Sequence, residues 1–311
     1  MTQTRPSVPS QDAGGPLIGS LGAPGGPPVP GGPAAPGGRK LSVFERVTHV
    51  RLTERYAKWG RQLSTVMVLV GALAIWEILA AVKVFPTVAL PSPQSVWDSF
   101  TLTVTKGYLN KTMGQDVAYS VVRVAVGFVG AVILGVPIGL LMAESKLVHR
   151  IIDPFLQLGR PVPPLAYIPL FVVWFGLGEL PKILLILVGT IPIMIISTIG
   201  GVRNIPAQRY EVARCLGAKR RQLFLNVTLP STLPEIFTGM KVGIGIAWTC
   251  LVAAELIAAS VGLGWLVEQA ATQLQTGIVI AGIIVIGILG YLMELGIRLL
   301  ERVVIPWRGH G

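Results

Sequence analysis

Six apolar runs, each near the length that crosses a membrane, follow the first 62 residues of this 311-residue chain. A helix needs about 20 predominantly apolar residues to span the hydrocarbon core of a bilayer. Only 13% of the residues are charged, about half the usual share of a soluble domain. The runs therefore predict an all-α membrane protein with six transmembrane helices. They cover residues 63–82, 117–142, 163–177, 183–200, 235–258 and 278–298.

The distribution of Lys and Arg predicts the orientation of these spans. If all six runs cross and the N-terminus is cytoplasmic, twenty basic residues fall on the inner side and four in the outer loops. This is the excess that the positive-inside rule describes. The third run is short, but leaving it out would place the six basic residues of the loop 201–233 outside. We therefore predict both termini to be cytoplasmic, and the chain to be a multi-pass protein of the cell inner (cytoplasmic) membrane.

The segments before the first span differ in composition. Residues 1–40 are rich in Gly and Pro and lack the basic start and apolar core of a signal peptide, so we expect a retained, disordered cytoplasmic tail. Residues 41–62 carry apolar residues at helical spacing among basic ones. This pattern predicts either a basic amphipathic helix on an anionic lipid surface or simply the positive flank of the first span. Residues 63–308 form the predicted transmembrane domain.

Composition and spacing also argue against several classes of site. Two cysteines, Cys215 and Cys250, are too few for a disulfide framework or a metal cluster, and the three histidines show no ligand spacing. The phosphate-binding pattern Gly-x-x-x-x-Gly-Lys-Ser/Thr is absent from the sequence. The net charge is +11, and the basic residues that produce it flank the apolar runs. They are not interleaved with aromatic residues, so no nucleic-acid partner is predicted. We expect no catalytic residue, no metal site and no cofactor on this chain.

A polar, basic segment stands between the fourth and fifth runs. Ala207–Leu216 has the composition of a short helix, and Gly217 permits a sharp turn because glycine tolerates left-handed backbone angles. Ala218–Val227 predicts a second short helix, which Pro230 is expected to end before the fifth span. We call residues 207–230 the elbow. A helical elbow could enter a groove of a soluble partner; the alternative is a solvated loop whose charges only set the topology.

The spacing within the elbow resembles the signature of binding-protein-dependent importer permeases of the ATP-binding-cassette class. That signature is Glu-x-Ala, three residues, Gly, nine residues, and then aliphatic-x-Leu-Pro. The second position is usually Ala, and Val212 stands there in this chain. The matching residues are Glu211, Ala213, Gly217, Val227, Leu229 and Pro230.

Further stretches are similar to the taurine branch of the sulfonate, nitrate and taurine permeases. They are Arg160–Ala166, Trp174–Gly178, Leu229–Gly239, Leu251–Ala258 and Pro306–Gly309. The resemblance implies the type I importer permease fold and import of taurine or a related sulfonate, with nitrate, bicarbonate or another small anion as the alternative cargo.

The same resemblance implies the partners. ATPase subunits would contact the loop of about residues 201–233, which contains the elbow, and would bind ATP and Mg²⁺, so the chain itself is not expected to be an enzyme. A second copy of the permease and a periplasmic or extracellular substrate-binding protein would complete the importer. An ion-coupled secondary transporter is the alternative from another class, but it would need ion-binding residues at mid-membrane and usually internal repeats.

Ionised residues within the runs call for an explanation because each costs about 2.5–3.5 kcal/mol at mid-span. Arg123 and Glu255 lie in the outer halves of their spans, where they could line a pathway for an anion or form a structural ion pair. Trp248 could contribute to a gate or simply pack. Glu294 and Arg298 are four residues apart, which favours a structural pair.

Two other features of the predicted spans involve packing at the membrane. Lys241 is close enough to the inner end of the fifth span for its side chain to reach the interface. Gly239 and Gly243 form a close-packing pattern. This pattern fits packing within the chain, or a pathway at a dimer axis that Gly245 and Ala247 would share.

Overall fold

The computed structural model describes residues 64, 66–83 and 85–307. The predictions for residues 1–40 and 41–62 lie outside this part of the chain. All regular secondary structure of the described residues is helical, with no strand among them, which confirms the all-α prediction. The longer helices are α1 (Val66–Ala81), α2 (Pro93–Thr105), α3 (Met113–Glu144), α4 (Lys146–Gly159), α5 (Ile168–Phe175), α6 (Glu179–Arg203), α7 (Ala207–Cys215), α8 (Arg220–Leu223), α9 (Leu229–Ala258), α10 (Leu263–Thr272) and α11 (Thr276–Val304).

Within the described residues, four helices are long and apolar enough to cross a membrane: α3, α6, α11 and the continuous helix Arg220–Ala258. A fifth candidate is the pair formed by α4 and the segment Pro164–Phe175, which meet at an angle of 92°. The described part of α1 is apolar and coincides with the first predicted run. Each predicted run thus coincides with helix, and the count of six complete crossings stays a prediction.

Helix α6 is the centre of the bundle and packs along its length against both α3 and α9. Close approach is possible because glycines face it. A Cβ added to Gly239 of α9 would lie 2.5 Å from Cβ of Ser197, and one on Gly243 would lie 3.2 Å from Cγ2 of Thr190. The pattern Gly239-x-x-x-Gly243 therefore packs helices within the chain, one of the two readings that the sequence allowed.

The predicted end of the second elbow helix at Pro230 is wrong. Arg220–Leu223 forms α8, Phe224–Thr228 forms one π-helical turn, and the chain continues directly into α9. In this turn the amide of Leu229 donates to the carbonyl of Phe224, five residues earlier. A proline is tolerated in the first turn of a helix, and the wider π-helical turn before it makes room for its ring. Pro230 therefore sits inside a continuous helix.

Two ion pairs lie at the end of the bundle that carries the elbow. Arg298 Nη2 is 2.6 Å from Glu294 Oε1, as the spacing predicted. Lys241 Nζ is 2.9 Å from Glu301 Oε2, so it pairs with α11 instead of simply extending toward the interface.

Candidate functional site

The turn of the elbow is a Schellman motif with Gly217 at its left-handed position. The φ angle of Gly217 is +77°, a value that side chains with a Cβ rarely adopt. Its amide donates to the carbonyl of Arg214, and the amide of Ala218 donates to that of Ala213. These two bonds satisfy carbonyls that the end of α7 would otherwise leave open. The chain therefore changes direction at Gly217, as predicted, and these two hydrogen bonds hold the turn.

The elbow is attached to the bundle by a few polar contacts. Tyr210 Oη lies 3.1 Å from Thr228 Oγ1, and Arg209 Nη1 donates to Ser231 Oγ at 3.2 Å. Ala213, Val227, Leu229 and Pro230 are half-buried, whereas Glu211 and Gly217 are exposed. The signature residues thus divide into an inner set that packs and an outer set that faces solvent.

Two apolar side chains in α7 and at its C-terminal end are left without cover. Val212 is 60% exposed and Leu216 is 82% exposed, although neither lies in a membrane-spanning helix. Exposed apolar residues among basic ones are typical of a surface that another protein covers. The mild departure from the signature at Val212 therefore falls on the exposed face of α7.

A network of charges occupies the opposite end of the bundle; Arg123, Lys182 and Glu255 are buried in it, whereas the side chain of Glu179 is 52% exposed. Arg123 of α3 is 2% exposed and Glu255 of α9 is fully buried. Arg123 Nη1 lies 2.6 Å from Glu255 Oε1. Its Nε and Nη2 contact the two carboxylate oxygens of Glu179 at 2.5 and 2.8 Å, which is the bidentate geometry that guanidinium favours. The ion pair that the sequence allowed is present; a pathway role for Arg123 and Glu255 stays a prediction.

Two members of this network, Glu179 and Lys182, were not predicted. Both lie in the first turn of α6, and Lys182 Nζ is 3.0 Å from Glu179 Oε1. Lys182 is buried despite its assignment to an outer loop. With Arg123 and Glu255, these residues give two positive and two negative charges. Charge balance of this kind lowers the cost of burial. Arg123 and Glu179 are 56 positions apart in the sequence, so no local sequence pattern indicates that they meet.

Side chains of α3 and α9 also cap the start of α10. The amides of Gly262, Leu263 and Gly264 donate to Asp116, Ser120 and Glu255, each at 2.9 Å. The first amides of a helix have no partner within it, and here neighbouring helices supply the acceptors.

The turn that brings these amides together depends on Gly262. Its φ is +131°, and an added Cβ would collide with the carboxylate of Glu255. Arg123 Nη1 also donates to the carbonyl of Val261 at 2.7 Å. The network therefore ties three helices and the turn before α10 into one unit.

Trp248 lies in α9, between the end of the bundle with the elbow and the end with the charge network, and is 6% exposed. Its ring lies beside Gly290 of α11, where an added Cβ would be 3.7 Å from Cδ1 of the indole. The ring also borders a cavity of about 420 Å³, together with Leu165, Thr249 and Leu256. Packing accounts for its position, and a gating role stays a prediction.

Comparison with known proteins places these features in a family. Residues 135–305 match the family described as binding-protein-dependent transport system inner membrane component. The chain is 42% identical over 265 residues to the taurine transport system permease protein TauC of Escherichia coli, covering 83% of this chain and 96% of that protein.

Two other relatives differ in their named cargo. A putative aliphatic sulfonates transport permease protein, SsuC of Bacillus subtilis, is 39% identical over 76% of this chain and 84% of its own length. The nitrate import permease protein NrtB of a Synechocystis strain is 33% identical over 75% and 86%.

A solved structure shares the fold. It is an inward facing conformation of the MetNI methionine ABC transporter, which matches with a TM-score of 0.55 at 20% identity and covers 62% of this chain and 95% of that one. The matched segment of the family contains the elbow, and the curated relatives align over nearly their whole length. The chain therefore belongs to the family of binding-protein-dependent transport system inner membrane components, the permease subunits of ABC transporters.

Proposed function

We propose that this chain is the permease subunit of an ATP-driven importer that carries taurine or a related sulfonate across the cytoplasmic membrane. The observation that carries the proposal is the 42% identity to a taurine permease over 96% of that protein's length. Nitrate, bicarbonate or another small anion is the second candidate cargo, because a nitrate permease is 33% identical over 86% of its length. All these cargoes carry a small oxyanion group.

The proposal includes two copies of this chain, two ATPase subunits and a substrate-binding protein. The ATPase subunits bind ATP and Mg²⁺ and dock on the elbow, where Val212 and Leu216 supply the apolar contact and the basic residues of 214–221 supply charge. ATP-driven movement of the two elbows then reorients the paired spans. Support comes from the family, from the exposed apolar side chains of the elbow and from its motif spacing.

An uptake assay tests the cargo. The chain is reconstituted in proteoliposomes with its ATPase and its binding protein, and ATP-dependent entry of labelled taurine is measured against unlabelled competitors. Taurine and alkanesulfonates are expected to compete strongly, and nitrate and bicarbonate weakly. The reverse order would assign the second candidate cargo, and uptake that follows an ion gradient without ATP would identify a secondary transporter.

We further propose six membrane crossings with both termini and the elbow in the cytoplasm, as the excess of inner basic residues supports. Cys215 gives a direct test because it lies exposed at the end of α7, whereas the other cysteine, Cys250, is buried. A membrane-impermeant maleimide is expected to label the chain in inverted vesicles but not in intact cells. Cys215→Ser is the control that must lose the label. Labelling of intact cells would contradict this orientation.

A further inference from the structure

A cavity of about 570 Å³ lies between the end of α4, the turn Pro164–Tyr167, α6 and α9. Residues 188–196 of α6 and 246–250 of α9 contribute to its walls. At 1.5 Å per residue, the α6 wall begins about 14 Å from the start of a helix about 36 Å long. The cavity is therefore near mid-depth in the bundle, away from both the charge network and the elbow. Its volume is in the range of sites for small organic ligands.

Arg160 is the one charged residue that lines this cavity; most of the other lining side chains are apolar. None of the carboxylates in the described part of the chain lies within ion-pair distance of its guanidinium. Arg123, Lys241 and Arg298 all have such a partner. Arg160 is exposed in the single chain, and an ionised residue at membrane depth is by default a sign of function. The charge count of the sequence had placed Arg160 on the inner flank, because the helix α4 that carries it to mid-depth was not predicted.

The backbone is also interrupted at this point. Helix α4 ends at Gly159, Arg160 is its C-terminal cap, and the next helical segment begins at Pro164 at 92° to α4. Irregular backbone at membrane depth is tolerated where it lines a cavity, and broken helices often form transport sites. A Cβ on Gly189 would lie 2.6 Å from Sγ of Cys250 and 3.3 Å from Cγ of Pro164, so this glycine lets the broken segment pack closely on α6 and α9.

We propose that Arg160 binds the oxyanion group of the cargo as it passes through the bundle. A guanidinium presents five N–H donors in a plane, which suits a sulfonate or a similarly shaped oxyanion. The apolar walls accept the short carbon chain of the cargo. Arg160 is then a residue that selects for cargo with an oxyanion group within the permease itself, in addition to selection by the binding protein. This inference rests on the proposed function, because it takes the cargo to carry a small oxyanion group.

The test compares Arg160→Gln and Arg160→Lys in the complete importer, reconstituted with its ATPase and binding protein. Arg160→Gln is expected to reduce ATP-dependent uptake of labelled taurine about tenfold or more, the effect of losing a charged hydrogen bond. ATP hydrolysis by the same complex should stay within about twofold of wild type, because the network and the elbow are untouched. Arg160→Lys keeps the charge and should restore part of the uptake. Lys106→Gln, at the exposed end of α2, is the matched loss of one positive charge and should leave uptake unchanged.

Each other outcome has a defined meaning. Wild-type uptake by Arg160→Gln overturns the inference. Loss of both uptake and assembly that Arg160→Lys does not restore also overturns it, since that pattern identifies a structural residue. A wild-type importer that moves none of taurine, alkanesulfonate, nitrate or bicarbonate overturns the proposed function and this inference with it. That last result is read before any variant is made, so the two failures are distinguishable.

Discussion

The two ends of the bundle treat their polar groups in opposite ways. At the end with the charge network, Arg123 makes four hydrogen bonds within the chain and the amides at the start of α10 find acceptors on neighbouring helices. At the elbow, Leu216 is 82% exposed and only a few polar contacts attach α7 to the bundle. The first region is complete within one chain. On the proposed function, the second gains its remaining contacts from an ATPase subunit, so the two regions should respond differently to substitution.

The largest effect is expected from Arg123→Gln. This change leaves Glu255 buried without its charged partner, which typically costs about 3–5 kcal/mol. Thermal and denaturant unfolding of the purified chain in detergent would measure the loss. Arg298→Gln removes the arginine of the exposed pair with Glu294 and is the matched control, for which no clear destabilisation is expected. Equal destabilisation by the two variants would refute the distinction between a buried and an exposed pair.

A double variant and the cargo preference separate the two roles of Arg123. If Arg123 and Glu255 act mainly on each other, Arg123→Gln with Glu255→Gln should destabilise the chain less than the sum of the single changes. Strict additivity would argue against the pair as a unit. Unchanged preference among sulfonates and nitrate in any folded Arg123→Gln importer would rule out a pathway role for this residue.

A smaller effect with opposite signs is expected from two glycine substitutions. Gly217→Ala should disfavour the closed turn by about 1–2 kcal/mol, because an alanine at φ +77° is strained. Gly200→Ala lies within α6 with open space around an added Cβ, so helix propensity should stabilise the chain by up to about 1 kcal/mol. The amount of ATPase that copurifies with each variant is the measurement. It should fall only for Gly217→Ala, and an equal fall for both would mean that the turn geometry is irrelevant to docking.

The smallest effect is expected from Tyr210→Phe, which removes the hydroxyl that contacts Thr228. A single hydrogen bond is worth about 0.5–1.5 kcal/mol, so amides of α7 should exchange with deuterium about two- to tenfold faster. Tyr291→Phe is the control, because that tyrosine is 57% exposed on α11. Unchanged exchange in α7 would show that other contacts hold the elbow in place.

Local features of the fold were predictable from the sequence. Apolar runs located the long helices, and Gly217 marked the turn of the elbow because few other residues adopt its backbone angles. The pair Glu294–Arg298 followed from helical spacing alone. In each case the determining interaction lies within a few residues along the chain.

Features that depend on distant contacts could not be predicted in this way. Glu179 meets Arg123 across 56 residues, and only the packing of α6 on α3 brings them together. The mid-depth position of Arg160 comes from α4, the helix that carries it there and that the apolar runs did not indicate. The prediction that a helix ends at Pro230 was wrong because a π-helical turn precedes the proline. That turn depends on packing against the rest of the chain and not on the proline itself.

The continuity of Arg220–Ala258 has a mechanical consequence. The 39 residues of this helix extend over about 58 Å at 1.5 Å per residue. They form a lever with α8 at one tip and Glu255 near the other. Its short arm, from Arg220 to the end of the π-helical turn at Thr228, is about a quarter of the length. Tilting about Thr228 would therefore move the far tip about three times as far as the near one. One stiff strut therefore connects the exposed elbow with the part of the chain that is held most firmly.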